Sequence, residues 1–155
     1  MKCLATRPER PVGVTGTPVP AKQFHPMPTL LVVDDSDALL DRVQEILLGA
    51  GFQVVVASSG FDAIKLLHRV RFDLIVTDIY MADGDGYDVL QAVRKSGKKI
   101  PIIAMSANPV EFDSLGPAKM LGACGSLWKP FSAVDLLNMV MTVLAGVRAA
   151  SVERT

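Results

Sequence analysis

Net charge is what this chain lacks: 16 Lys and Arg residues offset 16 Asp and Glu over 155 residues. A balanced chain has no general attraction for nucleic acid or an anionic membrane surface. Neither is therefore expected as a direct partner. Histidine is scarce, and His25 and His68 belong to no cluster. Cysteine is scarce too: Cys3 and Cys124 show no metal-ligand spacing and cannot build a disulfide framework. That usage fits a reducing cytoplasm. No apolar run reads as long enough to span a bilayer. The N-terminus is expected to lack the apolar core of a secretory signal. Aromatic residues are only 6% of the chain although half of it is apolar. The core must therefore be filled by Val, Leu, Ile and Ala, in a chain long enough for one ordinary domain.

Proline is unevenly spread. Pro8, Pro11, Pro18, Pro20, Pro26 and Pro28 all precede Thr29, in a stretch without hydrophobic period. Lys2, Arg7, Arg10 and Lys22 outweigh Glu9 there. Residues 1–28 read as a disordered basic tail, 29–148 as one domain and 149–155 as a C-terminal tail.

From Thr29 onward, short apolar runs alternate with helical periods. Strands are expected at Thr29–Val33, Gln53–Ala57, Leu74–Thr77, Pro101–Met105 and Gly125–Trp128. Ser36 can cap a helix with Leu39, Leu40, Val43, Ile46 and Leu47 on one stripe, stopped near Gly49 and Gly51. Ser59 can cap a second, bearing Ala63, Leu66, Leu67 and Val70. Gly84 and Gly86 should loosen the loop before a third helix that carries Leu90 and Val93 and ends at Gly97. Glu111–Leu121 should hold a fourth helix. Gly116-Pro117 interrupts it, so a short, kinked or late-starting helix is expected. Ser132 can cap a fifth, through about Val147. Its apolar stripe is Leu136, Leu137, Val140, Val143, Leu144 and Val147, widened by Met139 and Met141. Such a stripe reads first as a well-buried helix, and second as a partner surface. Alternating strands and helices require right-handed crossovers and a parallel sheet, a three-layer α/β/α sandwich.

The chemistry-bearing residues stand at the ends of these strands. Asp34-Asp35 follow the first, Asp78 the third, Ser106 the fourth and Lys129 the fifth. In an open parallel sheet the carboxyl ends of the strands face the ligand crevice. Clustered carboxylates repel one another unless a cation sits among them. All-oxygen ligands suit magnesium. One aspartate alone could serve as a helix cap, but not Asp34, Asp35 and Asp78 together. Asp78 is the candidate nucleophile, since a carboxylate can attack phosphorus to form an acyl phosphate. Lys129 and Ser106 can each contact a phosphoryl oxygen.

Leu31–Asp35, Val76–Met81, Ala104–Ala107 and Trp128–Phe131 together resemble the signature segments of the response-regulator receiver domain. The resemblance covers about Thr29 to Val147 and is chemotaxis-regulator-like, without an output domain. It implies a flavodoxin-like α/β fold of five parallel strands and five helices. It implies Asp78 as phosphoacceptor, with Ser106 and Lys129 assisting. Asp35, Asp78 and the backbone carbonyl of Tyr80 are the implied direct magnesium ligands, with Asp34 acting through water. It also implies a cis peptide bond at Lys129-Pro130. The implied donor is a sensor histidine kinase or a phosphotransfer protein, and the implied output passes to a downstream protein target through a changed surface. Pairing of two copies through the last helix is a further expectation. The implied protein is no enzyme in the ordinary sense: it catalyses its own phosphorylation and dephosphorylation.

Three departures stand out. Ser126 replaces the Tyr or Phe usual three residues before the lysine. Ala82 replaces a usual proline. Gly116-Pro117 interrupts the fourth helix. Other readings are a phosphate sink or relay, and a pseudo-receiver that is never phosphorylated. A haloacid-dehalogenase-type phosphatase would want a second acid two residues after its nucleophile, where this chain has Tyr80. A flavodoxin-type flavin site would want a Ser/Thr/Gly-rich loop where Asp34-Asp35 stand.

Overall fold

The structure is a computed structural model that describes residues 26–107 and 115–153. Residues 1–25 of the expected tail lie outside the described residues, as do Asn108 and the beginning of the expected fourth helix. The elements run β1 Thr29–Val33, α1 Asp37–Gly49, β2 Gln53–Ala57, α2 Gly60–Leu67, β3 Leu74–Asp78, α3 Gly86–Ser96, β4 Ile102–Ser106, α4 Leu115–Met120, β5 Gly125–Trp128 and α5 Ala133–Val152. All strands pair in parallel, in the order β2-β1-β3-β4-β5. This is the expected flavodoxin-like α/β/α sandwich.

Side-chain alternation explains why the apolar runs are continuous. Leu30 and Val32 of β1 point into one core with Leu40, Val43 and Leu136. Leu31 and Val33 point into the other with Ala63, Leu67 and Leu90. A central parallel strand is covered on both faces, so its interior positions are apolar almost throughout. β1, β3 and β4 accordingly reach almost complete burial, while the edge strands β2 and β5 do not.

The caps are local and follow the sequence. The Leu39 N–H donates to Ser36 Oγ and the Asp62 N–H to Ser59 Oγ. Ser132 and Asp135 form a reciprocal capping box at the start of α5. The start of α3 differs from expectation. Asp85 is its cap, in a box with Asp88, and Gly86 is a packing site rather than a loosening residue. A Cβ on Gly86 would lie 2.2 Å from the carbonyl oxygen of Asp78. Gly84, in contrast, is a true turn residue, with φ of 72°. Within the described residues α4 runs Leu115–Met120 and contains Pro117; the residues before it lie outside the described ones.

Three expectations about α5 are corrected. It continues past Val147 to Val152, because Gly146 breaks nothing and Ala149-Ala150 propagate the helix. By length and composition it is apolar enough to cross a membrane, contrary to the reading of the sequence. It is also not well buried. Leu136, Val140 and Val143 are buried, but Met141 and Val147 are exposed. A helix of 20 residues spans about 30 Å, whereas a strand of five covers about 17 Å. The C-terminal turns therefore outrun the sheet.

Candidate functional site

Strand order reverses between β1 and β3: the chain leaves β1 toward β2 on one side and returns to β3 on the other. The crevice at such a reversal lies above the carboxyl ends of both strands. Asp34 follows β1 and Asp78 ends β3, so both stand at that crevice. Carboxylate oxygens of Asp34, Asp35 and Asp78 lie within 4.8 Å of one another. Asp34 is fully buried and Asp78 nearly so, while Asp35 is exposed.

The buried acids are held by specific donors. Asp34 Oδ1 accepts the Ser36 N–H at 2.9 Å. Lys129 Nζ lies 2.5 Å from Asp34 Oδ2 and 3.2 Å from Asp78 Oδ2. The Lys129 N–H donates to the Ser106 carbonyl at 2.7 Å, which ties the end of β5 to the end of β4. The Lys129-Pro130 peptide is cis. Ser106 is buried, and its neighbour in the register is Trp128.

Burial pushes the Asp78 carboxyl above its ordinary range, and the Asp34 charge adds to it. Lys129 and the Tyr80 backbone amide oppose the shift without cancelling it. Burial alone would lower the Lys129 pKa, but its bonds and charge interactions with Asp34 and Asp78 outweigh that and raise it. The two directions are compatible. The lysine makes its shorter contact with Asp34, and one ammonium cannot neutralise three carboxylates. The site therefore keeps an excess of negative charge. Hard oxygen donors with uncompensated charge fit a magnesium ion.

The crevice thus unites Asp34, Asp35, Asp78 and Lys129 directly, with Ser106 at the adjoining strand end. Tyr80 stands two residues beyond Asp78. Its ring is exposed and meets Tyr87 of α3 edge-on, with centroids 6.4 Å apart. Sequence reasoning aimed Lys129 at a ligand and missed that it first joins two acids. It also missed Thr77, whose hydroxyl donates to the Asp78 carbonyl at 2.9 Å within the core. A Thr inside an apolar run was the available signal. Trp128 is 36% exposed at the sheet edge. It shares a face with Ser126, because Leu127 between them points into the core with α1 and α5.

Comparison with known proteins agrees with this geometry. The family model described as "Response regulator receiver domain" matches residues 30–141. The chain is 33% identical over 115 residues to the alkaline phosphatase synthesis transcriptional regulatory protein PhoP of Bacillus subtilis, covering 74% of this chain and 48% of that protein. It is 34% identical over 118 residues to the response regulator SaeR of Staphylococcus aureus, covering 76% and 51%. The chain thus spans about half the length of such curated relatives. Among solved structures, the chemotaxis protein CheY4 of Vibrio cholerae superposes with a TM-score of 0.71 at 32% identity, over 76% of this chain and 98% of that one. The chain belongs to the response regulator receiver domain family.

Proposed function

We propose that this receiver accepts a phosphoryl group on Asp78 from a histidine kinase or phosphotransfer protein, in a magnesium-dependent reaction, and signals through a change in its own surface. The observation that carries the reading is the buried acid cluster at the strand-order reversal, with Lys129 bridging Asp34 and Asp78.

Asp35, Asp78 and the Tyr80 carbonyl would hold the ion, with Asp34 reaching it through water. Bound there, magnesium supplies the positive charge that lets an anionic donor approach a cluster of acids. An Asp78 carboxylate oxygen attacks phosphorus; a new P–O bond forms as the bond to the donor nitrogen breaks, and the leaving imidazole keeps the bonding pair and takes up a proton. Negative charge then moves from the Asp78 oxygens to the phosphoryl oxygens. Lys129 is already within reach of Asp78 and follows that charge. The Ser106 hydroxyl donates to another phosphoryl oxygen. Output passes through the segment after Ser106, α4 and Trp128, because Ser126 is too small to serve as an inward-moving aromatic. Exposed Met141 and Val152 support the expected pairing of two copies through α5.

Labelling tests the reading. With magnesium and acetyl phosphate, intact-mass spectrometry should show one base-labile phosphoryl group, absent in Asp78→Asn. Asp35→Ala should lose calorimetric magnesium binding. Undiminished labelling of Asp78→Asn, mapped to another residue, refutes the assignment.

A further inference from the structure

A groove of about 630 Å³ lies at the opposite edge of the sheet, where β3 and β4 begin. Its volume falls within the range of small-molecule sites, roughly 300–1,000 Å³. Val70 and Ile100, both half-buried, give it a small apolar floor above the buried Leu67 and Phe72. Arg69, Arg71, Lys98 and Lys99 line it as well, and all four are exposed. The Asp73 carboxylate is its acid and is engaged, accepting the Thr29 N–H at 2.8 Å.

Cations commonly gather where helices end, because the last carbonyls carry partial negative charge. That accounts for Lys98, whose Nζ donates to the Leu67 carbonyl at the end of α2. It does not account for the others. Among the described residues, Arg69, Arg71 and Lys99 form no ion pair. Three unpaired cations on one groove make a positive patch that an anion complements. The chain's own N-terminal segment joins at Pro26, beside Arg71 in an adjoining groove. It carries Lys2, Arg7, Arg10 and Lys22 against Glu9. Like charge argues against that segment as the occupant.

We infer that this groove binds a nucleoside di- or triphosphate, its phosphates on Arg69, Arg71 and Lys99 and its base on the Val70–Ile100 floor. Guanidinium forks match phosphate oxygens in pairs, and an apolar floor takes a flat ring. Neither the phosphoacceptor nor its ion takes part.

Amide NMR shifts of the full chain, titrated with ADP in the presence of a metal chelator, test this. The expected result is saturable shifts confined to residues 67–73 and 98–101, with ADP binding tighter than inorganic phosphate. Arg71→Ala and Lys99→Ala should each weaken ADP about tenfold, the loss of one charged hydrogen bond. Both variants should still label on Asp78, which shows that they are folded. The inference fails if no saturable shift appears in the groove. It fails equally if inorganic phosphate, or vesicles of anionic lipid, bind there as tightly as ADP, since the floor would then contribute nothing.

Discussion

Asp78 is placed where its own charge is a liability. Its raised pKa means that the folded state holds the proton more tightly than the unfolded state does. Metal-free stability should therefore rise as pH falls from neutral through the raised value toward the ordinary 3.8. The ionised group costs stability at pH 7, and Asp78→Asn removes that cost. In chelator at pH 7, Asp78→Asn should raise Tm by roughly 3 °C, the effect of about 1 kcal/mol in a chain of this size. Saturating magnesium should reduce or reverse the difference, because wild type gains an ion that the variant binds poorly. Thermal scans in the two buffers check this; an equal shift in both would mean that Asp78 does not help to hold the ion. The identity of these residues was legible in the sequence, because Asp34, Asp35, Asp78, Ser106 and Lys129 each stop an apolar run. Their partners were not. Nothing in the linear order says that Lys129 lies closer to Asp34 than to Asp78.

At the scale of elements, α3 is seated by Gly86. A methyl group there would meet the Asp78 carbonyl, a backbone atom with no freedom to yield. Gly86→Ala should cost about 2 kcal/mol, as overpacking does, and should slow phosphorylation by shifting the Asp78–Ile79 backbone. Urea titration and acetyl phosphate labelling would show both; normal labelling in a destabilised variant would separate the packing role from the site. α5 depends on its cap instead. Ser132→Ala should cost about 1 kcal/mol. Hydrogen bonds from the Ser132 side chain and backbone lower the Asp135 pKa below 3.8. The contribution of Asp135 is therefore fully present above that value and disappears as pH falls through the lowered one. Wild type and Asp135→Asn should differ in stability at pH 6 and converge in strong acid. A difference independent of pH would assign the effect to side-chain size rather than charge. The Ser-x-x-Asp spacing made this cap readable. The Asp85 cap went unread because two nearby glycines looked like the dominant local signal.

For the whole molecule, the open question of mechanism is how a change at Asp78 reaches the surface without an aromatic at Ser126. Trp128 stands at the sheet edge, paired in register with Ser106 and partly in solvent. It is therefore free to move without emptying the core. Amide exchange with and without beryllofluoride should show altered protection within residues 106–128 and little change in β1 and β2. Identical protection across 106–128 in both states would place the output elsewhere on the fold.

The sequence alone determined the fold class, the starts of α1, α2 and α5 to within a residue or so, and the residues at the acidic edge. These depend on short-range chemistry. Burial on both faces makes apolar runs continuous, a hydroxyl accepts the N–H three residues on, and a polar residue ends a buried strand. Only the tertiary structure decided the rest. Whether Gly86 loosens or packs depends on a carbonyl from another element. How much of α5 is buried depends on the length of the sheet beneath it. The groove at the far edge exists because α2 and α3 end side by side, which brings Arg69 and Arg71 to Lys98 and Lys99 across a gap in sequence. Contacts between distant segments are set by packing geometry, and no local pattern encodes them.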